Sequence, residues 1–150
     1  MRWKYRKLLS NLGNAVEALC GSAPSSSAVV AEARREGVAC LSAAHIPFAA
    51  EDEEFAEREK LLKLRQIGGR SRAGGSSWQS LARGSGSIEC DYLNGEIAML
   101  GRQFGVPTPV NELLQRLARK AAVEGKPPGS MSLIELERML NEFSKGLRPS

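Results

Sequence analysis

Apolar residues recur at helical spacing along most of the chain, and the strict two-residue alternation of a half-buried strand is absent from it. The clearest apolar stripe lies in residues 3–20 and consists of Leu8, Leu12, Val16 and Leu19. Comparable patterns predict further helices at residues 27–43, 51–64, 76–83, 88–104, 109–123 and 131–144. The sequence therefore predicts a single all-α domain of about six or seven helices.

Two of these helices can be predicted in more detail. The helix over residues 88–104 carries apolar side chains that should face the core, namely Leu93, Ile97, Leu100 and Phe104. The last helix follows Ser132 and has Glu135 three residues later, which is the spacing of a capping box. Both patterns support helical rather than extended structure in the second half of the chain.

Residues 65–75 are rich in glycine and arginine and predict a basic surface loop. No strand pattern precedes these glycines, and neither a dinucleotide-binding fingerprint nor a P-loop spacing is present. Aromatic residues are not interleaved with the basic ones, and the formal net charge of +4 is mild for 150 residues. The sequence therefore gives no support to phosphate-loop chemistry and little to nucleic-acid binding.

The composition is that of an ordinary globular domain, with 42% hydrophobic and 25% charged residues. No apolar run approaches the roughly 20 residues that a membrane-spanning helix needs. The three cysteines, Cys20, Cys40 and Cys90, are widely spaced, and His45 is the single histidine. This pattern fits neither a disulfide framework nor a zinc site, so we expect free cysteines, no bound metal and a reducing cytoplasm.

Lys7, Asn11 and Asn14 are spaced so that they share one face of the helix predicted over residues 3–20. Asparagine is a poor helix former because its amide competes with the backbone for hydrogen bonds. Two aligned asparagines beside a lysine therefore indicate a functional stripe, although a lysine on a helix is more often an ordinary surface residue. The sequence leaves both interpretations open.

Ser77 and Glu89 are a second group of candidates. Glu89 lies in the first turn of the helix predicted over residues 88–104, where the helix dipole favours a carboxylate. Acids in a first turn are also common without any function. Together with Lys7 and the asparagines, however, these residues supply the groups needed to grip and protonate a small oxo-acid.

At these residues the chain resembles the C-terminal domain of ketopantoate reductase, also called 2-dehydropantoate 2-reductase. The resemblance extends from the run YRKLLSN at residues 5–11 to the helix that starts at Pro109. It is strongest in the serine pair at residues 76–77, in IECDYLNG at 88–95 and in GVPTPVN at 105–111. It implies an all-helical domain that supplies substrate groups to an enzyme whose N-terminal Rossmann domain holds NADPH.

The resemblance also implies roles for the candidate residues. Lys7 matches the catalytic lysine that protonates the ketone oxygen, and Glu89 matches the acid that bonds the substrate hydroxyl and helps to place the lysine. Asn11 matches a substrate-binding asparagine, and Ser77 matches the serine that binds the substrate carboxylate. The implied reaction is reduction of 2-dehydropantoate to pantoate, a step of pantothenate biosynthesis.

Two departures from the family pattern concern the substrate. The family usually has a second asparagine eight residues after the lysine, whereas this chain has Ala15 there and Asn14 one residue earlier. A one-residue shift turns a side chain by about 100° around a helix. The family's Ser-Met-Leu-Gln-Asp run is SWQSL at residues 77–81, so Leu81 replaces an aspartate. These changes leave open which 2-oxo-acid is used and whether Asn14 replaces the missing asparagine.

No βαβ pattern or dinucleotide fingerprint occurs in the 150 residues. We therefore expect a fragment, a split gene product or a free-standing helical domain that binds no cofactor and has no activity alone. The first functional hypothesis is the substrate-binding, lysine-bearing half of an NADPH-dependent 2-oxo-acid reductase, partnered by a Rossmann nucleotide-binding domain. The alternative is a non-catalytic helical module that pairs with another protein or with itself as a homodimer.

Overall fold

Seven helices lie within residues 2–21, 27–64 and 92–146, which are the parts of the chain that the computed structural model describes. Strands do not occur in these ranges. The helices, in chain order, are α1 (Arg2–Asn11), α2 (Asn14–Cys20), α3 (Ala28–Ala43), α4 (Glu51–Leu64), α5 (Asn94–Phe104), α6 (Pro109–Val123) and α7 (Leu133–Gly146). The predicted all-α fold is confirmed. The predictions for residues 65–75, 76–83 and 88–91 lie outside the described residues.

The single helix predicted over residues 3–20 is in fact two helices, because a turn at Leu12 and Gly13 interrupts it between α1 and α2. Gly13 is a weak helix former, and a Cβ atom there would lie 3.0 Å from Cγ1 of Val30. The Leu12 carbonyl accepts a hydrogen bond of 3.3 Å from Nδ2 of Asn94. Tertiary packing at a glycine therefore overrides the continuous helical pattern.

The described side chains of the core are apolar and come from α1, α2, α3, α5, α6 and α7. The stripe predicted for the first helical region is buried, as expected. α3 crosses α1 closely at Gly37, where a Cβ atom would lie 2.6 Å from Cδ2 of Leu9. Ser27 caps α3 by accepting a hydrogen bond of 3.3 Å from the Val30 N–H.

α5 begins later than the sequence predicts, since Tyr92 and Leu93 form a turn before Asn94. Ile97 and Leu100 are buried as predicted, and Leu93 is half-buried. The prediction that Phe104 faces the core is wrong, because its side chain is 42% exposed. Phe104 is the last residue of α5, and the chain turns away from the helix there at Gly105, which has a φ of 71°.

α4 differs from the other helices in how it is attached. Its first turn contains four acidic residues, a placement that the helix dipole favours. Glu53 pairs with Arg2 at 3.1 Å, and Glu54 pairs with Arg6 at the same distance. The largest apolar side chain of α4, Phe55, is exposed. The described contacts that hold α4 to α1 are thus charged and polar.

α6 and α7 agree with their predicted positions. α6 occupies the predicted range, and α7 begins two residues after the predicted start. The Ser132 hydroxyl accepts a hydrogen bond of 3.2 Å from the Glu135 N–H, which confirms one half of the predicted capping box. No helix among the described residues has the length and apolarity to cross a membrane.

Candidate functional site

A cleft of about 320 Å³ lies between α1 and the start of α5. We call it the Lys7 cleft; its lining residues are Lys4, Lys7, Leu8, Asn11, Tyr92, Leu93 and Glu96. Lys7 is exposed and Asn11 is half-buried. The structure therefore brings Lys7 and Asn11 to one cleft, as their spacing of one helical turn predicts.

Asn14 does not line this cleft. The shared face predicted for Lys7, Asn11 and Asn14 assumed one continuous helix, and that assumption is wrong. Asn14 is instead the first residue of α2, after the break at Leu12 and Gly13. A role for Asn14 in substrate binding stays a prediction.

Ser77 and Glu89 lie outside the described residues, so their positions relative to Lys7 remain predictions. Glu96 places a carboxylate at the Lys7 cleft, and no sequence pattern predicts this position. In the sequence it is one acid among several on a helical stretch, and only the fold distinguishes it. It lies seven residues after Glu89 in the sequence.

The charged groups of the Lys7 cleft favour an anionic ligand. Among the lining residues that the structure describes, the ammonium groups of Lys4 and Lys7 share the cleft with the carboxylate of Glu96. Nζ of Lys4 lies 5.3 Å from the centre of the Tyr5 ring, a cation–π contact that restrains this side chain. Charge-assisted hydrogen bonds from these ammonium groups are suited to the carboxylate of a small oxo-acid.

Close to the cleft, a buried polar network joins α3 to the start of α6. Oε1 of Glu36 accepts a hydrogen bond of 3.0 Å from the Val110 N–H. Oε2 accepts bonds from the Asn111 N–H at 3.0 Å and from its Nδ2 at 2.7 Å. Glu36 and Asn111 are almost completely buried. The Glu36 carboxylate therefore caps the N-terminus of α6 from a different helix.

Asn94 extends this network to the break between α1 and α2. Its Nδ2 donates to Oδ1 of Asn111 at 2.9 Å and to the Leu12 carbonyl at 3.3 Å. Asn94 is the first residue of α5, immediately after Leu93, which lines the Lys7 cleft. The network thus fixes the wall of the cleft relative to α1.

The sequence patterns do not predict this network, although two of its residues occupy unusual positions in the sequence. An asparagine followed by Gly95 is unusual inside a helical pattern, and Asn111 falls just after the Pro109 that starts α6. Glu36 left no comparable signal, because it follows Arg34 and Arg35 and resembles part of a solvated charged face.

Burial has a direct effect on two titratable groups in this region. It raises the pKa of the Glu36 carboxyl, and the hydrogen bonds from Val110 and Asn111 oppose that rise. Burial also raises the pKa of the Cys40 thiol to about 11, with the charge of Glu36 adding to the effect. The Cys40 thiol therefore stays protonated near neutral pH and is a packing group rather than a nucleophile. Cys20, the other described cysteine, is free and half-buried.

The described ranges contain no group of three or more His, Cys, Asp or Glu side chains that could hold a metal ion. The described polar groups that line the Lys7 cleft are ammonium, amide, phenol and carboxylate groups. This donor set suits binding of an organic anion and proton transfer to it.

Comparison with known proteins gives two positive findings. The family model described as "Ketopantoate reductase PanE/ApbA C terminal" matches residues 1–122. The fold is similar to the crystal structure of a PanE/ApbA family ketopantoate reductase from Ralstonia eutropha JMP134, with a TM-score of 0.61 and 27% sequence identity. The similarity covers 81% of this chain and 41% of the Ralstonia protein, so the chain spans less than half of that protein's length. No curated protein matches the sequence.

The family match extends from α1 through nearly all of α6 and so includes every described residue that lines the Lys7 cleft. Because that match covers most of the sequence, the chain belongs to the ketopantoate reductase PanE/ApbA C-terminal family.

Proposed function

We propose that this chain is the substrate-binding, lysine-bearing half of an NADPH-dependent reductase of 2-oxo-acids, with 2-dehydropantoate as the first candidate substrate. The observation that carries the proposal is the shared opening of Lys7 and Asn11 onto the Lys7 cleft. A ketone that carries a carboxylate matches these groups. Family membership supports the same assignment.

Lys7 is the proposed proton donor. NADPH, when bound, supplies a hydride to the ketone carbon, which leaves negative charge on the ketone oxygen. The Lys7 ammonium stabilises that charge and donates a proton to give the alcohol. A positioned general acid of this kind contributes roughly 10²–10⁴-fold to a rate.

The other groups have binding and orienting roles in this proposal. The Asn11 amide, one turn along α1, bonds the substrate beside the reacting carbonyl. Lys4 and Ser77 bind the substrate carboxylate, and Glu89 bonds the hydroxyl and orients Lys7. Glu96 is a second carboxylate at the Lys7 cleft and, in this scheme, helps to keep the Lys7 ammonium directed into it.

The proposed partner is a Rossmann nucleotide-binding domain that delivers the nicotinamide to the mouth of the cleft. The exposed groups that line the cleft fit the oxo-acid, whereas we assign the nucleotide mainly to the partner domain. The 41% coverage of the Ralstonia reductase supports this division, because it leaves most of that protein for other functions.

A chimaera tests the proposal directly. In it, this chain replaces the matching 41% of the Ralstonia reductase. We expect the chimaera to oxidise NADPH in the presence of 2-dehydropantoate, as followed by cofactor absorbance, while the isolated chain does not. Lys7→Ala should lower kcat of the chimaera by at least about 100-fold. The matched control is Lys145→Ala, which removes an exposed lysine from α7.

Two outcomes would contradict the proposal. One is a folded chimaera that binds NADPH but reduces neither 2-dehydropantoate nor related 2-oxo-acids. The other is equal activity of Lys7→Ala and Lys145→Ala. Circular dichroism and NADPH binding distinguish these outcomes from a chimaera that has not folded.

A second candidate function is a helical interaction module, and exposed apolar side chains favour it. Tyr92 is 78% exposed beside the cleft, and Ile134 at the start of α7 is 80% exposed. Large exposed apolar groups are typical of association surfaces. A tight homodimer by light scattering, combined with an inactive chimaera, would favour this function over the reductase half.

A further inference from the structure

A second cavity lies on another side of α1, between α1, α3 and α4. We call it the arginine pocket; it has a volume of about 280 Å³ and is lined by Arg6, Ser10, Arg34, Glu51, Glu54, Phe55 and Arg58. It shares no lining residue with the Lys7 cleft. The proposed reduction therefore leaves this cavity without a role.

The pocket has more positive than negative charge. Three guanidinium groups face the two carboxylates of Glu51 and Glu54, which gives a formal charge of +1. Each arginine comes from a different helix, namely α1, α3 and α4. The charges converge only in the folded chain.

Glu54 already neutralises two of these arginines. Its Oε2 lies 3.1 Å from Nε of Arg6, and its Oε1 lies 2.8 Å from Nη2 of Arg58. The Ser10 hydroxyl also lies within 2.8 Å of both carboxylate oxygens. The carboxylate of Glu54 is therefore fully engaged by Arg6, Arg58 and Ser10.

Within residues 2–21, 27–64 and 92–146, Arg34 is the lining arginine without a carboxylate partner. Its Nη2 donates to the Ser10 carbonyl at 3.2 Å, and its Nε is buried without a hydrogen-bond partner. No carboxylate pairs with it in the part of the chain that the structure describes. A buried donor without a partner costs free energy, and an added acceptor recovers it.

We propose that the arginine pocket binds a small oxyanion, either a phosphate or a carboxylate group, with Arg34 as its principal ligand and Arg58 as the second. A guanidinium presents paired N–H donors that match both anions. Arg58 can turn from Glu54 toward the ligand because its side chain is 64% exposed. Arg6 stays paired with Glu54, since its side chain is only 10% exposed.

Isothermal titration calorimetry of the full chain in Tris chloride at low salt tests this proposal. Inorganic phosphate and acetate are titrated in separate arms, so that the arm with the lower Kd identifies the preferred anion. We expect one site per chain, and Arg34→Gln should weaken binding about tenfold or more.

Arg35→Gln is the matched control. Arg35 is the next residue of α3, carries the same charge and pairs with Glu32 at the surface. We expect it to leave Kd within about twofold of the wild type, because an exposed and already paired charge acts weakly at a distance. Arg34→Lys keeps the charge without the fork and should give an intermediate Kd.

The proposal fails if neither anion binds at about 10 mM, well above the millimolar Kd of a weak site. It also fails if Arg34→Gln and Arg35→Gln weaken binding equally, because the attraction would then come from net charge alone. Far-ultraviolet circular dichroism checks that each variant is folded. If Arg34→Gln is not folded, the Kd of Arg34→Lys is compared with that of Arg35→Gln instead. No NADPH or oxo-acid is used, so the result is independent of the proposed reductase function.

Discussion

The two cavities beside α1 are built in different ways. The Lys7 cleft is bordered by α5, which packs through buried apolar side chains and through the network of Glu36, Asn94 and Asn111. The arginine pocket is bordered by α4, which is attached by ion pairs to Arg2 and Arg6. α1 thus places Lys4 and Lys7 beside α5, which is fixed by buried contacts, and Arg2 and Arg6 beside α4, which is attached by ion pairs. Catalysis needs the precise positioning that a packed helix such as α5 provides, whereas reversible anion binding tolerates a helix such as α4 that is attached by ion pairs.

The largest expected effect separates proton donation from charge at the Lys7 cleft. Lys7→Arg keeps a positive charge, but a guanidinium does not release its proton near neutral pH. We therefore expect kcat of the chimaera to fall about 100-fold while KM changes little. Steady-state kinetics would measure this, with Lys60→Arg on the exposed face of α4 as control. A rise in KM alone would show that Lys7 only binds substrate.

The next effect concerns the buried polar network that holds α5. Glu36→Gln leaves a buried N–H group of Val110 or Asn111 facing an amide NH₂, so we expect the free energy of unfolding to fall by about 2 kcal/mol. Urea denaturation measures it. Glu32→Gln on the same helix removes a surface pair with Arg35 and should cost less than about 1 kcal/mol. Equal losses in the two variants would mean that the network does not fix the fold.

A smaller loss is expected at the turn between α5 and α6. A Cβ atom on Gly101 would lie 2.6 Å from both the Val106 carbonyl oxygen and Cγ2 of Thr108. Gly101→Ala should therefore destabilise the chain by about 1–2 kcal/mol despite the better helix propensity of alanine. Gly146→Ala is the control, since a Cβ atom there meets nothing within 4 Å. Thermal unfolding measures the stability of both variants. If Gly101→Ala and Gly146→Ala both had the Tm of the wild type, a Cβ atom at residue 101 would not strain the turn.

The smallest effect tests how α4 is attached. Because none of the side chains at residues 51–61 of α4 is buried, the amides of this segment should exchange with solvent faster than those of α5, through local opening. Glu54→Gln should accelerate exchange in α4 and lower global stability by no more than about 1 kcal/mol. Hydrogen exchange read by mass spectrometry measures both helices. Equal protection of α4 and α5 would remove the contrast between the two cavities.

The sequence predicts more of the fold than of the site. Apolar periodicity is enough to place α3, α6 and α7 within a few residues, because apolar residues recur at helical spacing along each of them. The same periodicity hides the break at Gly13, where packing against Val30 decides the structure. Boundaries that depend on tertiary contacts therefore escape a one-dimensional pattern.

For the site, spacing along one helix predicts that Lys7 and Asn11 open on the same cleft. It does not predict Glu96, Glu36 or Arg34, which acquire their surroundings from residues distant in the sequence. A charged residue on an amphipathic helix has the same appearance in a sequence whether it is solvated or enclosed. Only the packing of helices distinguishes the two.

The hydrogen bond between Asn94 and the Leu12 carbonyl spans 82 residues. α1 is therefore synthesised well before the helix that completes its end, by on the order of 4–16 s at ribosomal rates of 5–20 residues per second. During that interval α1 carries four basic residues along its length. Its first turn contains no acidic residue, so its charges oppose the helix dipole. Lys4 and Lys7 therefore gain their neighbours on α5 only after residue 94 has been synthesised, whereas every described lining residue of the arginine pocket has been synthesised by residue 58.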